Sequence, residues 1–93
     1  MKNLFDIKGK VIVITGGCGI LGKNIANYLA EQGAKIVVLD RAAEIGKELE
    51  AELNQKSEAL FLVTDVLNKE VLEENKKAIL ERFGTIDVLL NAA

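Results

Sequence analysis

Short apolar runs alternate with longer amphipathic stretches along the whole chain. The runs are KVIVIT (10–15), KIVVLD (35–40), ALFLV (59–63) and IDVLLN (86–91). Each run is apolar nearly throughout, which is typical of a strand buried on both faces of a parallel sheet. The pattern therefore predicts four strands.

The stretches between these runs carry apolar residues at helical spacing. A first helix is predicted from about residue 19 to 32, and Gly33 is placed to end it in the left-handed conformation. The face that this helix is expected to bury carries Leu21, Ile25, Tyr28 and Leu29.

Two further helices follow from the same spacing. The second is predicted from about residue 41 to 55, with a narrow apolar stripe and with Gly46 weakening its helix propensity. Asn68 is a candidate N-cap for the third, and Gly84 is placed to end it. The stripe of the second helix is Ile45, Leu49 and Leu53, and the inward residues of the third are Val71, Leu72, Ile79 and Phe83.

The order of elements is thus strand, helix, strand, helix, strand, helix, strand. Such regular alternation implies right-handed crossovers and a parallel sheet with helices on both faces. We expect a single α/β domain over residues 1–93, built as the first half of a doubly wound nucleotide-binding fold.

The composition narrows the class of protein. Net charge is −2 with acidic and basic residues interspersed, so no basic face is available for nucleic acid. The longest apolar runs fall far short of the roughly 20 residues that span a membrane, and the first residues lack the apolar region of a signal peptide. We expect a cytoplasmic protein with no nucleic-acid or membrane partner.

The lack of histidine and the single serine and cysteine exclude several kinds of catalytic and metal site. The chain has no His, and Ser57 and Cys18 are its single serine and cysteine. A Ser–His or Cys–His nucleophile is therefore excluded, as are a His-ligated zinc site and an internal disulfide.

The segment TGGCGILG (15–22) stands between the first strand and the first helix. Gly16 would permit a sharp turn, Gly19 would admit a dinucleotide pyrophosphate close to the backbone, and Gly22 would let the helix pack on the sheet. The pyrophosphate would then lie at the positive end of the helix. The alternative is a tight turn that binds no ligand.

Asp40 ends the second strand 18 residues after Gly22. A carboxylate there can accept both hydroxyls of the adenosine ribose and would repel a 2′-phosphate, which favours NAD over NADP. Asp40 could instead be the N-cap of the second helix. Arg41 works against the preference for NAD, because a guanidinium there could hold a 2′-phosphate.

These segments together resemble the N-terminal half of the short-chain dehydrogenase/reductase family. The segments that carry the resemblance are FDIKGKVIVITGG, the glycine turn, LVTDV and ERFGTIDVLLNAA. The resemblance implies a Rossmann-type sheet with strand order 3-2-1-4. It also implies a cofactor-binding set of Gly16, Gly19, Ile20, Leu21, Gly22, Asp40, Arg41, Asp65, Val66, Asn91, Ala92 and Ala93.

Within that set, the resemblance places Asp65 and Val66 at the adenine edge and residues 91–93 beside the ribose of the nicotinamide. For Asp65, a role at the start of the third helix is an equal alternative. Ala92 stands where the family usually has a second Asn. The glycine spacing is similar to the family's extended, sugar-nucleotide branch, whereas GTIDVLLNAA is similar to its dehydrogenase branch.

The family's catalytic Tyr-x-x-x-Lys pair and its partner Ser lie beyond the fourth strand. Tyr28 is the single tyrosine here and Gln32 stands four residues later, so Tyr28 is interpreted as a packing residue. No catalytic residue is predicted in this chain, and we expect residues 1–93 alone to be inactive.

The resemblance implies a homo-oligomeric parent oxidoreductase acting on a small alcohol or carbonyl compound, such as a sugar acid. The alternatives are an epimerase or dehydratase that retains NAD, and a nucleotide-binding module without catalysis.

Other polar or reactive residues have structural interpretations. Cys18 at a helix start could be redox-sensitive or simply a small residue in a crowded turn. Thr15 is expected to bond within the turn or to the next strand. Asp6 and Asp87 are interpreted as surface or strand-end charges. The apolar strand 86–91 leaves an edge uncovered within these residues, so we expect the isolated chain to be marginally stable or to self-associate.

Overall fold

The computed structural model describes residues 6–92, in which four strands alternate with three helices. The strands are β1 (Val11–Thr15), β2 (Lys35–Asp40), β3 (Ala59–Val63) and β4 (Val88–Asn91). The helices are α1 (Ile20–Glu31), α2 (Ala43–Asn54) and α3 (Lys69–Phe83). All seven elements lie where the hydrophobic pattern predicts them, with small differences at their ends. None of these helices has the length and hydropathy to cross a membrane.

The four strands form one parallel sheet in the order β3-β2-β1-β4. Thr15 pairs with Leu39 on one side and with Asn91 on the other, and Asp40 pairs with Val63. The carboxyl ends of all strands therefore meet at one edge, where ligands bind in open α/β sheets. The predicted doubly wound fold and strand order are confirmed.

Alternate residues of the strands pack into two separate hydrophobic cores, one on each face of the sheet. Side chains such as Ile14 and Val38 pack with α1 and α2 on one face of the sheet. Side chains such as Val13 and Leu39 pack with Ile79 of α3 on the other face. Because both faces of β1 and β2 are covered, these two strands consist of nearly continuous apolar residues.

Helix α1 packs on the sheet through small residues. Its buried positions are Gly22, Ala26 and Ala30, spaced four residues apart. Leu21 and Tyr28 are both 62% exposed, so their predicted place on the buried face is wrong. The small stripe lets the helix backbone lie close to the strands, and the larger side chains are displaced to the flanks of the contact.

Helix α2 contacts β3 through a glycine. A Cβ at Gly46 would overlap the ring of Phe61, so no side chain fits there. Leu49 and Leu53 are buried as predicted, whereas Ile45 is 42% exposed and does not belong to the buried stripe. Close packing of Phe61 against the helix backbone explains the glycine that weakened the helix prediction.

The predicted ends of the helices are confirmed. The Asn68 side chain accepts hydrogen bonds from the backbone N–H groups of Glu70 and Val71, which caps α3. Gly33 follows α1 with φ +89°, and Gly84 ends α3 with φ +81°. Both glycines adopt the left-handed conformation that a side chain would disfavour.

Candidate functional site

Three glycines of the segment 15–22 are required by the fold itself. Gly16 has φ +72°, and its N–H donates to the carbonyl oxygen of Leu39 at 2.9 Å. A Cβ at Gly17 would lie 2.7 Å from Val38, and one at Gly22 would lie 2.6 Å from the carbonyl oxygen of Gly16. The turn and packing roles predicted for Gly16 and Gly22 therefore have a structural basis.

Gly19 has no such reason to lack a side chain. Its φ is −74°, and the nearest atom to a Cβ built there is 3.7 Å away, at ordinary van der Waals distance. It is the N-cap of α1, makes no side-chain hydrogen bond there, and is followed by a first turn without acidic residues. The first N–H groups of a helix have no partner within the helix, so this end can bind an anion.

The Asp40 carboxylate connects the turn to the end of β2. Its Oδ2 accepts the backbone N–H of Cys18 at 3.0 Å, and its Oδ1 accepts the N–H of Ala42 at 3.0 Å. The N-cap of α2 is Ala42. The alternative in which Asp40 is the N-cap is therefore wrong, because Asp40 lies two residues before the cap.

The Cys18 side chain is buried beneath the turn. Burial raises the pKa of its thiol to about 11, the neighbouring Asp40 carboxylate adds to this rise, and Lys23 opposes it. A thiol with this pKa is protonated at neutral pH and reacts slowly. The structure favours the interpretation of Cys18 as a small packing residue over that of a redox-sensitive thiol.

A groove of about 810 Å³ opens at the carboxyl edge of the sheet, beside α3. It brings together five of the predicted cofactor-binding residues, namely Gly16, Asp40, Arg41, Val66 and Asn91. Most of its remaining wall is apolar and is formed by the strands and α3, including Val13, Leu39, Leu72, Ile79 and Leu89. The groove thus combines polar groups at the ends of β1, β2 and β4 with an apolar lining from the strands and α3.

The other predicted site residues lie outside the groove. Ile20 is 84% exposed and, like Leu21, projects from the start of α1. Asp65 is exposed and accepts the N–H of Leu67 at 3.0 Å, and it is not the cap of α3. Ala92 is half-buried next to the α1 and α2 core. The predicted residue 93 lies outside the described residues.

The end of β4 is fastened to the end of β1. The Thr15 hydroxyl lies 3.2 Å from Oδ1 of Asn91 and 3.4 Å from the carbonyl oxygen of Leu90. The Ala92 N–H donates to the Thr15 carbonyl oxygen at 2.9 Å. Thr15 therefore bonds to the neighbouring strand, as predicted, and holds the Asn91 side chain at the sheet edge.

Sequence reasoning missed a buried polar pair in the groove wall. Asn75 Nδ2 donates to Thr64 Oγ1 at 2.7 Å, and Thr64 Oγ1 donates to the Leu62 carbonyl oxygen at 2.9 Å. Asn75 and Thr64 are 8% and 1% exposed. Asn75 stands three residues after Leu72 and four before Ile79, and a polar residue on that apolar face was the available signal.

The Asp87 carboxylate bonds to the backbone of the neighbouring strand. Its Oδ2 accepts the Val11 N–H at 2.8 Å, and its own N–H donates to the Val11 carbonyl oxygen at 2.9 Å. Asp87 lies directly before β4, so of the two predicted interpretations the strand-end charge is confirmed, and its bonds join β4 to the start of β1. Within residues 6–92, no cluster of His, Cys, Asp and Glu side chains could hold a metal ion.

The family is established by comparison with known proteins. The short chain dehydrogenase family matches residues 10–93. The chain belongs to that family, and its sheet order and glycine turn agree with this assignment.

Individual relatives are consistent with the family. The Bacillus subtilis (strain 168) protein UxuB, an uncharacterized oxidoreductase, is 39% identical over 95% of this chain and 32% of its own length. The structure of an NAD⁺-bound xylitol dehydrogenase matches with a TM-score of 0.85 and 36% identity, over 89% of this chain and 32% of that one.

A third relative comes from Haemophilus influenza and is assigned as a D-mannonate oxidoreductase. It was solved with bound NAD and matches with a TM-score of 0.85 and 35% identity, over 90% of this chain and 30% of its own. The chain therefore spans about a third of the length of the proteins it matches.

Proposed function

We propose that this chain forms the NAD-binding part of an oxidoreductase that transfers hydride between a nicotinamide cofactor and an alcohol or carbonyl compound. The proposal rests on the absence of a side chain at Gly19. The fold leaves room for a side chain there, yet the position is a glycine at the uncapped start of α1. A ligand that approaches the backbone supplies the missing reason, and a diphosphate suits the free N–H groups.

The groups around this point fit the rest of a dinucleotide. Asp40 lies at the end of β2 with carboxylate lone pairs left for the ribose hydroxyls, since each oxygen accepts one backbone N–H in the structure. Asn91 lies at the end of β4 beside Thr15, where the ribose of the nicotinamide is expected. The bound nicotinamide would supply or accept the hydride.

The substrate class is proposed from the relatives. Their names include a xylitol dehydrogenase and a D-mannonate oxidoreductase, so we propose a polyol or sugar acid. The family's Tyr-x-x-x-Lys pair has no counterpart in this sequence. Substrate binding and proton transfer are therefore assigned to a longer parent protein, and residues 1–93 to cofactor binding.

One sequence feature favours a second candidate. The spacing of Gly16, Gly19 and Gly22 is similar to that of sugar-nucleotide epimerases and dehydratases, which retain their NAD. The three relatives described above are a dehydrogenase and two oxidoreductases by name, which supports a cofactor that is released in each cycle. Copurified NAD that survives gel filtration would favour the epimerase class.

Substitution of Gly19 tests the proposed diphosphate site. We expect Gly19→Ala to weaken NAD binding at least tenfold, because the added methyl group occupies the space of the ligand. The free energy of unfolding should fall by only about 1 kcal/mol, because Ala is a poorer N-cap than Gly but its methyl group meets no close contact at this position. Isothermal titration with NAD and chemical denaturation measure the two effects.

Gly22→Ala is the matched comparison for this experiment. Its methyl group would overlap the turn backbone, so we expect a loss of both stability and binding. If Gly19→Ala binds NAD as tightly as the unmodified protein, the diphosphate does not lie at this turn.

Substitution of Asp40 tests the preference for NAD. We expect Asp40→Ala to shift the ratio of the Kd values for NAD and NADP towards NADP, because the charge that repels a 2′-phosphate is removed. Arg41→Ala should shift the ratio in the opposite direction if Arg41 holds that phosphate. An unchanged ratio in Asp40→Ala would remove Asp40 from the ribose site.

A further inference from the structure

We propose that Asp40 is also a positioning residue, which holds the glycine turn in its binding conformation before any dinucleotide is present. This inference rests on the proposed function and assigns Asp40 a second role besides contact with the ribose. It follows from one Asp40 hydrogen bond, which joins the end of β2 to the centre of the turn.

The middle of the turn needs such support because the regular elements hold only its two ends: the Gly16 N–H donates to Leu39 of β2, and the Gly19 carbonyl oxygen accepts the N–H of Lys23 in α1. β1 ends at Thr15 and α1 begins at Ile20, so the intervening residues lie outside both the ladder and the helix. Three of these four residues are glycines, which lose the most conformational freedom when they are ordered.

Two bonds tie this segment to β2. The Gly16 N–H donates to the Leu39 carbonyl oxygen at 2.9 Å, and the Cys18 N–H donates to Oδ2 of Asp40 at 3.0 Å. The second bond reaches the middle of the segment and has an ionised acceptor, which makes it stronger than a bond between neutral groups.

Asp40 is itself held in place from two directions. Its carbonyl oxygen accepts the Thr64 N–H at 2.8 Å, which fixes its backbone to the segment after β3. Its Oδ1 accepts the Ala42 N–H at 3.0 Å, which fixes the orientation of the carboxylate. The remaining oxygen is thereby directed at Cys18, so Asp40 connects β3, α2 and the glycine turn.

The two effects of the Asp40 carboxylate, ordering of the turn and negative charge, change the affinity for an anionic ligand in opposite directions. A turn that is already ordered spares the ligand the entropic cost of ordering it, which favours binding. A carboxylate near the start of α1 repels a diphosphate, which disfavours binding. The sign of the Asp40 effect on a ligand without ribose therefore distinguishes the two roles.

Amide hydrogen exchange without nucleotide tests the positioning role directly. We expect Asp40→Ala to accelerate exchange at the Cys18 amide about tenfold or more, since a bond to a charged acceptor is lost. Asp40→Asn keeps one acceptor oxygen and should restore part of the protection. The Val37 amide in the centre of β2 reports global unfolding and should change much less.

Asp6→Ala is the matched control for this measurement. Asp6 accepts the N–H of Lys8 at 3.1 Å, the same two-residue contact that Asp40 makes with Ala42, but it lies outside the turn. We expect no change at Cys18 in this variant. Equal acceleration at Cys18 and Val37 in both Asp40 variants would overturn the proposal, because Asp40 would then be a general stabilising residue.

Binding of inorganic pyrophosphate, which has no ribose, provides the second test. We expect Asp40→Ala to weaken it several-fold and Asp40→Asn to bind at least as tightly as the unmodified protein, because Asn removes the charge but keeps an acceptor. Equal or tighter binding by Asp40→Ala would overturn the proposal. If the unmodified protein binds neither pyrophosphate nor NAD, the proposed function fails, and exchange at Cys18 still decides the positioning role.

Discussion

At the scale of single residues, the glycine turn shows that one residue type serves different physical requirements. Gly16 needs a positive φ, and Gly22 needs the absence of a Cβ beside the turn backbone. Gly19 needs neither. The spacing of the glycines predicts a role for each of the three. Only the structure distinguishes the glycines that the fold requires from the one that a ligand would require.

The Cys18 thiol makes protein stability depend on alkaline pH. Its pKa in the folded protein is about 11, above the ordinary value of 9.0. Between these values the unfolded chain loses the thiol proton while the folded protein keeps it, so the free energy of unfolding falls as pH rises. Below about pH 9 both states are protonated, and we expect no contribution from this group.

Cys18→Ala provides the control for this prediction. Tyrosine and lysine side chains also titrate at alkaline pH, so the relevant quantity is the difference in slope between the unmodified protein and the variant. Urea denaturation at half-unit steps from pH 8 to 11 measures it. A variant with the same slope as the unmodified protein would show that Cys18 does not titrate abnormally.

At the scale of elements, helix propensity and side-chain packing have opposite effects at Gly46 in α2. Replacing a helical Gly by Ala should stabilise by about 1 kcal/mol. At Gly46 the added methyl group would instead overlap the Phe61 ring, and such overpacking costs about 1–3 kcal/mol. We expect Gly46→Ala to lower the Tm, measured by circular dichroism.

The neighbouring exposed Lys47 supplies the comparison, because Lys47→Ala changes the same helix without touching β3. We expect its Tm to stay close to that of the unmodified protein. A higher Tm for Gly46→Ala would mean that Phe61 moves aside at little cost, contrary to the tight contact with the helix backbone.

The elements differ in how well the sequence predicts them. Continuous apolar runs identify the strands, and Asn68 and the left-handed glycines identify helix ends, because these signals are local. On α1, Ile25 and Leu29 pack against the core as predicted, whereas Leu21 and Tyr28 are exposed. The centre of the buried face was missed because Ala26 and Ala30 contribute little hydrophobic signal, although they allow the close approach to the sheet. The bond between Asn75 and Thr64 joins α3 to the residue after β3; the polar position on the apolar face of α3 indicates Asn75, but the helical pattern does not contain its partner.

At the scale of the whole molecule, the two edge strands of the sheet, β3 and β4, differ in how they are covered. Along β3, the Phe61 N–H donates to Glu50 of α2 at 2.6 Å. Asn54 of α2 bonds both the N–H and the carbonyl oxygen of Ala59, at 2.9 and 3.1 Å. These side chains occupy backbone groups on which another strand could pair. The fold thus covers the β3 edge with α2.

The β4 edge presents apolar side chains instead. Val88 is 37% exposed and Leu89 is 66% exposed, and they face opposite sides of the sheet because they are adjacent in one strand. An apolar edge strand of this kind associates readily with another strand. We therefore expect the 93-residue polypeptide to self-associate through β4, which analytical ultracentrifugation over a range of concentrations would measure.

Leu89→Lys should reduce this association, because a charged side chain on an edge strand opposes pairing. Val63→Lys is the matched control, since Val63 is a 56% exposed apolar residue on the opposite edge strand, which α2 covers. We expect Val63→Lys to leave the association unchanged. Equal loss of association in the two variants would assign the effect to net charge rather than to β4, and a stable monomer of the unmodified polypeptide at high concentration would contradict the prediction outright.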